Sequence, residues 1–525
     1  MDTSLRTSLK TFITACFVFI LTSSLYSNNV AVSNLSFTGR NIANHYNLIQ
    51  FDISWDNSWR VAGAPANWDA AWVFVKYRLK NSTVWNHATL NTSGHTAPSG
   101  STITSATDGK GVFIYRSANG TGTFSLSAVQ LRWNYGTDGL ADYDQVEVKV
   151  FAIEMVYVPL GTFSAGSGGT ETSAFYSYPT TTNVYSISSE NAITVGTSAG
   201  NLYYASSANS GDQSGPIPAA FPKGYEDFYC MKYEITQEQY VNFLNCLTRT
   251  QQVNRVYTNV TGTSITDRYV MGPSPSTSPA YRNGIRCDAT IPASPTPITF
   301  YCDYNADGTG NGTGDGQSIA CNYLSTVDIL AILDWTGLRP MTEFEYEKAC
   351  RGTATAVANE YSWGAATRAS SAYTISNAGS SNEDIATNYS TTNGNANYST
   401  TSGSISGPLR AGTYVANASN TGRVTAGATY YGIMEMSGNL WERVITVGNS
   451  TGRAFTGLHG DGTLNASGNA NTSYWPGTDC VGAGFRGGDW TNGQGSMRIS
   501  DRNVGVYSAT YRDYHVGGRG VRTAP

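Results

Sequence analysis

Four segments of this chain, 167–220, 250–300, 365–425 and 449–480, are rich in Gly, Ser, Thr, Asn and Tyr and are longer than ordinary connections between regular elements. A chain interrupted in this way fits an irregular α+β fold with few regular strands. Its polarity carries little charge: only 13% of the 525 residues are charged, about half the share of an average globular chain, and 56 Gly and 34 Tyr join the Ser, Thr and Asn that replace them. The 32 basic and 37 acidic residues give a net charge of -5 and are scattered without blocks, so nucleic acid is excluded as a partner. With 40% hydrophobic and 12% aromatic residues the chain can bury a sizeable core.

The first residues read as a secretory leader. Arg6 and Lys10 form a short basic region, Thr11 to Leu25 is the apolar run, and a cut after Ser27 suits the small-residue rule. Thr22-Ser23-Ser24 breaks the run short of the ~20 apolar residues a membrane span needs. No later segment is long and apolar enough to span, so the mature chain is expected to be secreted, periplasmic or at the cell surface. Seven cysteines follow the leader, Cys230, Cys246, Cys287, Cys302, Cys321, Cys350 and Cys480, with no Cys-x-x-Cys spacing. A cysteine-rich zinc site is thereby disfavoured, while disulfides among some of them stay open.

From residue 28 to 152 the pattern is all strand. Alternation runs through Leu48 to Trp55, Trp72 to Leu79 and Gln145 to Val150, with turn-forming clusters between, as in a β-sandwich of immunoglobulin-like size. Trp55, Trp59, Trp68 and Trp72 read as core packing, with an aromatic glycan-binding face as the alternative. After Glu154 helices appear with explicit start signals. Thr236 with Gln239, Ser325 with Asp328 and Thr342 with Glu345 are capping boxes. The first opens a helix whose Tyr240, Phe243, Leu244 and Leu247 share one face; the second helix stops at Gly337 and the third runs to about Cys350.

These blocks resemble the formylglycine-generating enzyme, or sulfatase-modifying factor, domain. Met155 to Phe163 (MVYVPLGTF) is similar to its opening strand. Lys232-Tyr233-Glu234-Ile235-Thr236 is similar to its "K-x-E-V-T" segment, and Leu338 to Gly352 (LRPMTEFEYEKACRG) to its helix signature. Tyr431 to Glu442 (YGIMEMSGNLWE), Arg486 to Trp490 (RGGDW) and Gly517 to Arg522 (GGRGVR) resemble the closing blocks, so the likeness runs in family order over about 155–522. It implies a variant of the C-type lectin fold over residues 153–525.

The resemblance implies an oxidase only where a cysteine pair between the Arg-Gly-Gly block and a later arginine holds copper, since a thiolate is the soft ligand for Cu(I). Here Asp489 to Arg502 (DWTNGQGSMRISDR) contains no cysteine, Cys480 lies before the block, and Met497 is the one soft side chain in it. Copper is therefore not expected. The five histidines, His45, His87, His95, His459 and His515, are unpaired at helical spacing, which disfavours the iron site of related sulfoxide synthases. Calcium is the cofactor that the resemblance retains: Asn439 and Glu442 match the oxygen donors of "G-N-x-W-E", and Asn377 is the counterpart offered for a second site. Arg498, Arg502, Arg519 and Arg522 either line a cleft or form structural ion pairs, the commoner fate. The expectation is an exported, non-oxidase binding or scaffolding module for a protein or glycan at the cell envelope. The enzymatic alternative is a formylglycine-generating or related oxidase that uses Cys480 or another non-standard site.

Overall fold

The computed structural model describes residues 30–273 and 275–525, so the leader expected over residues 1–27 lies outside the described residues. The first strands are β1 (Ala31–Asn41), β2 (Tyr46–Arg60), β3 (Asp69–Leu79), β4 (Asn86–His87), β5 (Ser101–Ser105), β6 (Val112–Arg116), β7 (Gly120–Trp133) and β8 (Val146–Val158). Four short strands follow, β9 (Phe163–Ala165), β10 (Tyr176–Ser177), β11 (Tyr185–Ile187) and β12 (Leu202–Tyr203), then β13 (Phe228–Met231). Helices α1 (Gln237–Leu244) and α2 (Arg249–Arg255) precede β14 (Ile285–Arg286), β15 (Tyr301–Cys302), α3 (Thr326–Thr336), β16 (Arg339–Thr342) and α4 (Glu343–Arg351). The chain closes through β17 (Thr374–Ser376), β18 (Asp384–Thr387), α5 (Ser399–Ser402), α6 (Thr413–Ala416), β19 (Glu442–Ile445), α7 (Ser450–Arg453), β20 (Ala483–Arg486) and β21 (Gly520–Thr523). With 28% of residues in strands and 9% in helices, strands dominate the mixed fold.

One ten-stranded sheet runs through most of the molecule in the order β20-β19-β16-β21-β13-β8-β3-β6-β5, with β4 beside β3. Strand β8 carries it across residue 152, where the sequence suggested a boundary. β8 pairs with β3 from Val146↔Leu79 to Val156↔Asp69, while its last four residues also pair with β13, Val158↔Phe228 to Met155↔Met231. A second sheet, β1-β2-β7, packs on the N-terminal end of the large one through Ile49, Phe51, Ile53 and Trp55 from β2 and Val129, Leu131 and Trp133 from β7.

Strand β3 is buried on both faces. Ala71, Val73, Val75 and Tyr77 point into the core shared with the small sheet, while Ala70, Trp72 and Phe74 enter the core that contains α1 and α3. The indole of Trp72 donates to the carbonyl of Thr336 at 2.9 Å, Lys76 Nζ donates to that of Gly462 at 2.7 Å, and Phe74 meets Trp335 edge to face at 5.3 Å. Of the four tryptophans singled out by sequence, Trp55 and Trp72 are fully buried and Trp59 and Trp68 pack at core margins, which is the core reading.

The three capping boxes form as the sequence predicts, and a fourth, Thr248 with Gln251, starts α2. Gly337 ends α3 in the left-handed conformation that glycine adopts without steric cost. Helix α4 is buried along its whole length although it carries three glutamates, a lysine and an arginine. Each carboxylate meets a guanidinium: Glu343 with Arg502 (2.8 Å), Glu345 with Arg339 (2.6 Å), and Glu347 with both Arg486 (2.7 Å) and Arg351 (3.0 Å). Burial opposes ionisation of Glu347, but Arg486, Arg351 and the Gly166 N–H outweigh it and hold the carboxyl below its usual range.

Because Trp72 lies on β3, the strand whose two faces serve the two cores, Trp72→Ala is expected to cost about 3–5 kcal/mol and to weaken the two parts together. Urea unfolding followed by fluorescence and by far-UV circular dichroism would show one coincident, shifted transition. A variant that loses only the β1–β7 part in a separate step would contradict the shared core.

Candidate functional site

The segment 431–442 enters the molecule's interior in a conformation its sequence makes accessible. Glu435, Gly438 and Asn439 have φ of 56°, 84° and 68°, and a Cβ on Gly438 would lie 2.5 Å from the carbonyl oxygen of Asn397. Only glycine fits there, and asparagine is among the few residues that tolerate the left-handed position after it. The turn is locked by Glu234, three residues past the end of β13. Its carboxylate accepts from Asn439 Nδ2 and, at 2.9 Å, from the Leu440 N–H.

Around this turn lies a buried acidic centre. Glu442 Oε1 accepts from Arg519 Nε at 2.6 Å, and Arg519 Nη1 also donates to the carbonyls of Met231 and Lys232 at 3.2 Å each. Glu435 accepts from the Gly412 N–H at 3.0 Å, and its second oxygen, like that of Glu442, is buried without a partner. Burial, then the charge of neighbouring Glu442, drives the Glu234 carboxyl well above its usual range. Burial raises Glu442 as well, against Arg519, and pushes Glu435 up to about 7. On the far side Lys232 is paired with Glu154 and lies 3.9 Å from Asp69, whose carboxylate also accepts from Trp55, Ser58 and Trp59 of β2. Burial pushes Glu154 up to about 7 despite that lysine.

The structure thus brings Asn439 and Glu442 together and leaves Asn377 elsewhere. Asn377 is exposed in the turn between β17 and β18, where its side-chain amide donates to the Asn382 carbonyl at 3.4 Å. Two of the three side-chain oxygens at Asn439 and Glu442 already have other partners. Asn439 Oδ1 already accepts from the Leu409 N–H at 2.8 Å and from Asn397 Nδ2 at 3.3 Å, and Glu442 faces a guanidinium that supplies the positive charge. A calcium ion there would have to displace the donors on Asn439 and share Glu442 with Arg519, which leaves Glu442 Oε2 as the one side-chain oxygen of the pair open to it. Copper fits no better in the segment 489–502. Asp489 accepts from Thr491 and Asn492, and Met497 is buried among Tyr361, Trp363 and Tyr398.

Of the four arginines weighed for a cleft, Arg502, Arg519 and Arg522 are buried and ion-paired, with Glu343, Glu442 and Asp108. The seven described cysteines are all free and buried. A surface feature escaped the sequence reading altogether. Between β9, β11 and the end of α4 lies an open pocket of about 500 Å³, with hydroxyls from Ser164, Thr182, Ser186, Thr353 and Thr355 on its wall. Single Ser and Thr residues from three distant segments give no local signal of such a pocket.

These features define a loop-rich mixed domain, built on one sheet and one buried acidic centre. Residues 145–524, more than half of the chain, match the sulfatase-modifying factor enzyme 1-like domain, and the chain belongs to that family. No curated protein matches it.

The raised carboxyl of Glu435 sets a pH dependence. Its neutral form stabilises the fold fully below about 4.5, and that contribution is lost as pH rises through about 7. Glu435→Gln removes this dependence. Relative to their difference at pH 4.5, the variant is expected to gain on the wild type by roughly 3 kcal/mol at pH 8. Denaturant melts at the two pH values measure it, and an equal difference at both would refute the assignment.

Proposed function

We propose that this family member is an exported binding module of the cell envelope rather than a formylglycine-generating oxidase. The observation that carries the reading is the state of its thiols. Each of the seven described cysteines is free and buried, and burial raises every thiol above its usual range, so none stands as an exposed, preformed thiolate. The absence of cysteine from 489–502 agrees with this.

The binding role is supported by the open pocket, whose Ser and Thr residues share its wall with Phe163, Val184, Ala354, Ala356 and Ala358, a mixed lining without charged side chains that suits a neutral ligand such as a glycan or a peptide better than a charged one. A lectin-like scaffold that presents long uncharged loops from a rigid base would serve that role. The leader-like N-terminus supports export. No helix among the described residues is long and apolar enough to cross a membrane.

Two measurements test the proposal. With copper and a cysteine-containing peptide, the purified protein is expected to consume no oxygen above background; turnover abolished by Cys480→Ser would establish the oxidase reading instead. Cell-wall glycan and peptide fractions are expected to be retained on the immobilised protein and lost with Ser186→Trp, which fills the pocket. Retention unchanged by that substitution would remove the pocket from the binding role.

A further inference from the structure

The loop from β15 toward α3 reads Asp303-Tyr304-Asn305-Ala306-Asp307-Gly308, followed after six residues by Asp315. Carboxylate oxygens of Asp303, Asp307 and Asp315 lie within 4.8 Å of one another. Three like charges held this close are unfavourable in an empty site. Within the cluster, Asp303 Oδ2 pairs with Arg286, Asp315 Oδ2 accepts from the Gly312 N–H, and Asp307 Oδ1 accepts from the Thr309 N–H at 2.7 Å. Asn305 Nδ2 donates to Asp307 Oδ2 at 3.2 Å and to the Thr313 carbonyl at 3.3 Å, while Asn305 Oδ1 accepts from the Asp307 N–H at 2.9 Å.

Two further oxygens have no such partner. Asp303 and Asp315 are both completely buried, and Oδ1 of each is an acceptor with no donor. A buried carboxylate oxygen without a donor costs free energy, and here two belong to the same three-carboxylate cluster. Three carboxylates less the one guanidinium of Arg286 leave two negative charges, the complement of a divalent cation. Asp303, Asn305 and Asp307 also stand at the first, third and fifth places of a D-x-[DN]-x-[DN]-G series, the spacing with which one tight loop turns alternate oxygens toward a calcium ion. In place of that series' twelfth-position glutamate stands Gly314, and the last carboxylate comes one residue later, from Asp315.

We propose that Asp303, Asn305, Asp307 and Asp315 form a calcium site, with the cation accepting the two unpartnered oxygens of Asp303 and Asp315. Calcium is preferred to magnesium because the loop offers three carboxylates and the Asn305 amide from one irregular segment, which suits six to eight flexible contacts rather than a strict octahedron. In agreement, burial first and then the charges of Asp303 and Asp307 push Asp315 up to about 6, against the Gly312 N–H and Arg286. The site clamps a structural junction. Gln317 accepts from the Glu238 N–H in the first turn of α1 at 3.0 Å, and the Gly316 N–H donates to Gly379 in the β17–β18 turn at 2.8 Å. An occupied loop would therefore hold α1 and that hairpin in place, separately from the centre at Asn439 and Glu442.

The full chain, stripped with chelator, tests this by thermal melting, by calcium titration calorimetry and by terbium emission sensitised through Tyr304. Calcium is expected to bind one site with Kd between about 10⁻⁶ and 10⁻³ M, to raise the melting temperature and to displace terbium, with magnesium at least tenfold weaker. Asp307 is exposed and bonded only within the loop, so Asp307→Ala is expected to keep or raise the apo melting temperature and lose tenfold or more in affinity; Asp315→Asn should do the same to affinity. A wild-type chain with no calcium-dependent shift and no terbium signal would overturn the proposal. So would calcium binding that both variants leave unchanged.

Discussion

The charged side chains of α4 are placed where water cannot reach them, and the packing of the C-terminal part depends on how they are paired. Removing a carboxylate and a guanidinium from water costs several kcal/mol per ion, recovered only with close, multiply hydrogen-bonded geometry. That requirement fixes distant parts of the chain at once. Arg339 precedes the helix, Arg486 ends β20, Arg502 lies in the closing loop, and Arg351 reaches back to the Ser164 carbonyl and on to Glu360 and Ser500. A chain poor in charge thus concentrates much of it inside as crosslinks, and leaves its long surface loops to Ser, Thr, Asn and Gly.

The second constraint is the continuity of the large sheet. β8 gives one stretch of its length to β3 and its last residues to both β3 and β13, so the N-terminal sheets and the family domain share a strand instead of a linker. Lys232 reinforces the join, because its ammonium lies between Glu154 of β8 and Asp69 of β3, and Asp69 in turn receives the donors of β2. The acidic centre around Asn439 begins two residues further on, at Glu234. Front sheet, central sheet and centre are therefore consecutive layers of one buried polar chain.

Local chemistry was legible in the sequence and long-range company was not. Capping boxes at Thr236, Ser325 and Thr342 act within three residues, and each was readable; the one at Thr248 obeys the same rule but opens a helix that runs into the segment 250–300, whose composition suggested loop. β3 looked like an alternating half-buried strand, because a strand buried on both faces has apolar residues at every position and Trp-Val-Phe-Val satisfies either description. Asn439 was singled out in the sequence as an oxygen donor, while Glu234, which locks its turn from 205 residues away, carries no mark of that role. Asn377, proposed with Asn439, rested on alignment across a long insertion, and the structure sets it in an exposed turn. The D-x-N-x-D-G spacing at Asp303 was present in the sequence all along, since a loop that folds on itself writes its ligands at short intervals.

The double-sided burial of β3 also bears on how the protein is made. A ribosome delivers the residues of β1–β8 long before Trp335, Gly462 and Arg522 exist, so the outer face of β3 and β6, with Trp72, Phe74 and Phe113, emerges as an apolar wall with nothing to cover it. The early half of the chain can collapse on its other face, yet completes itself only when the last strand but a few residues has been synthesised. During that interval the apolar face is open to water, and a truncation that removes β21 would take away both a partner of β13 and Arg522, which lies over the Trp72 ring.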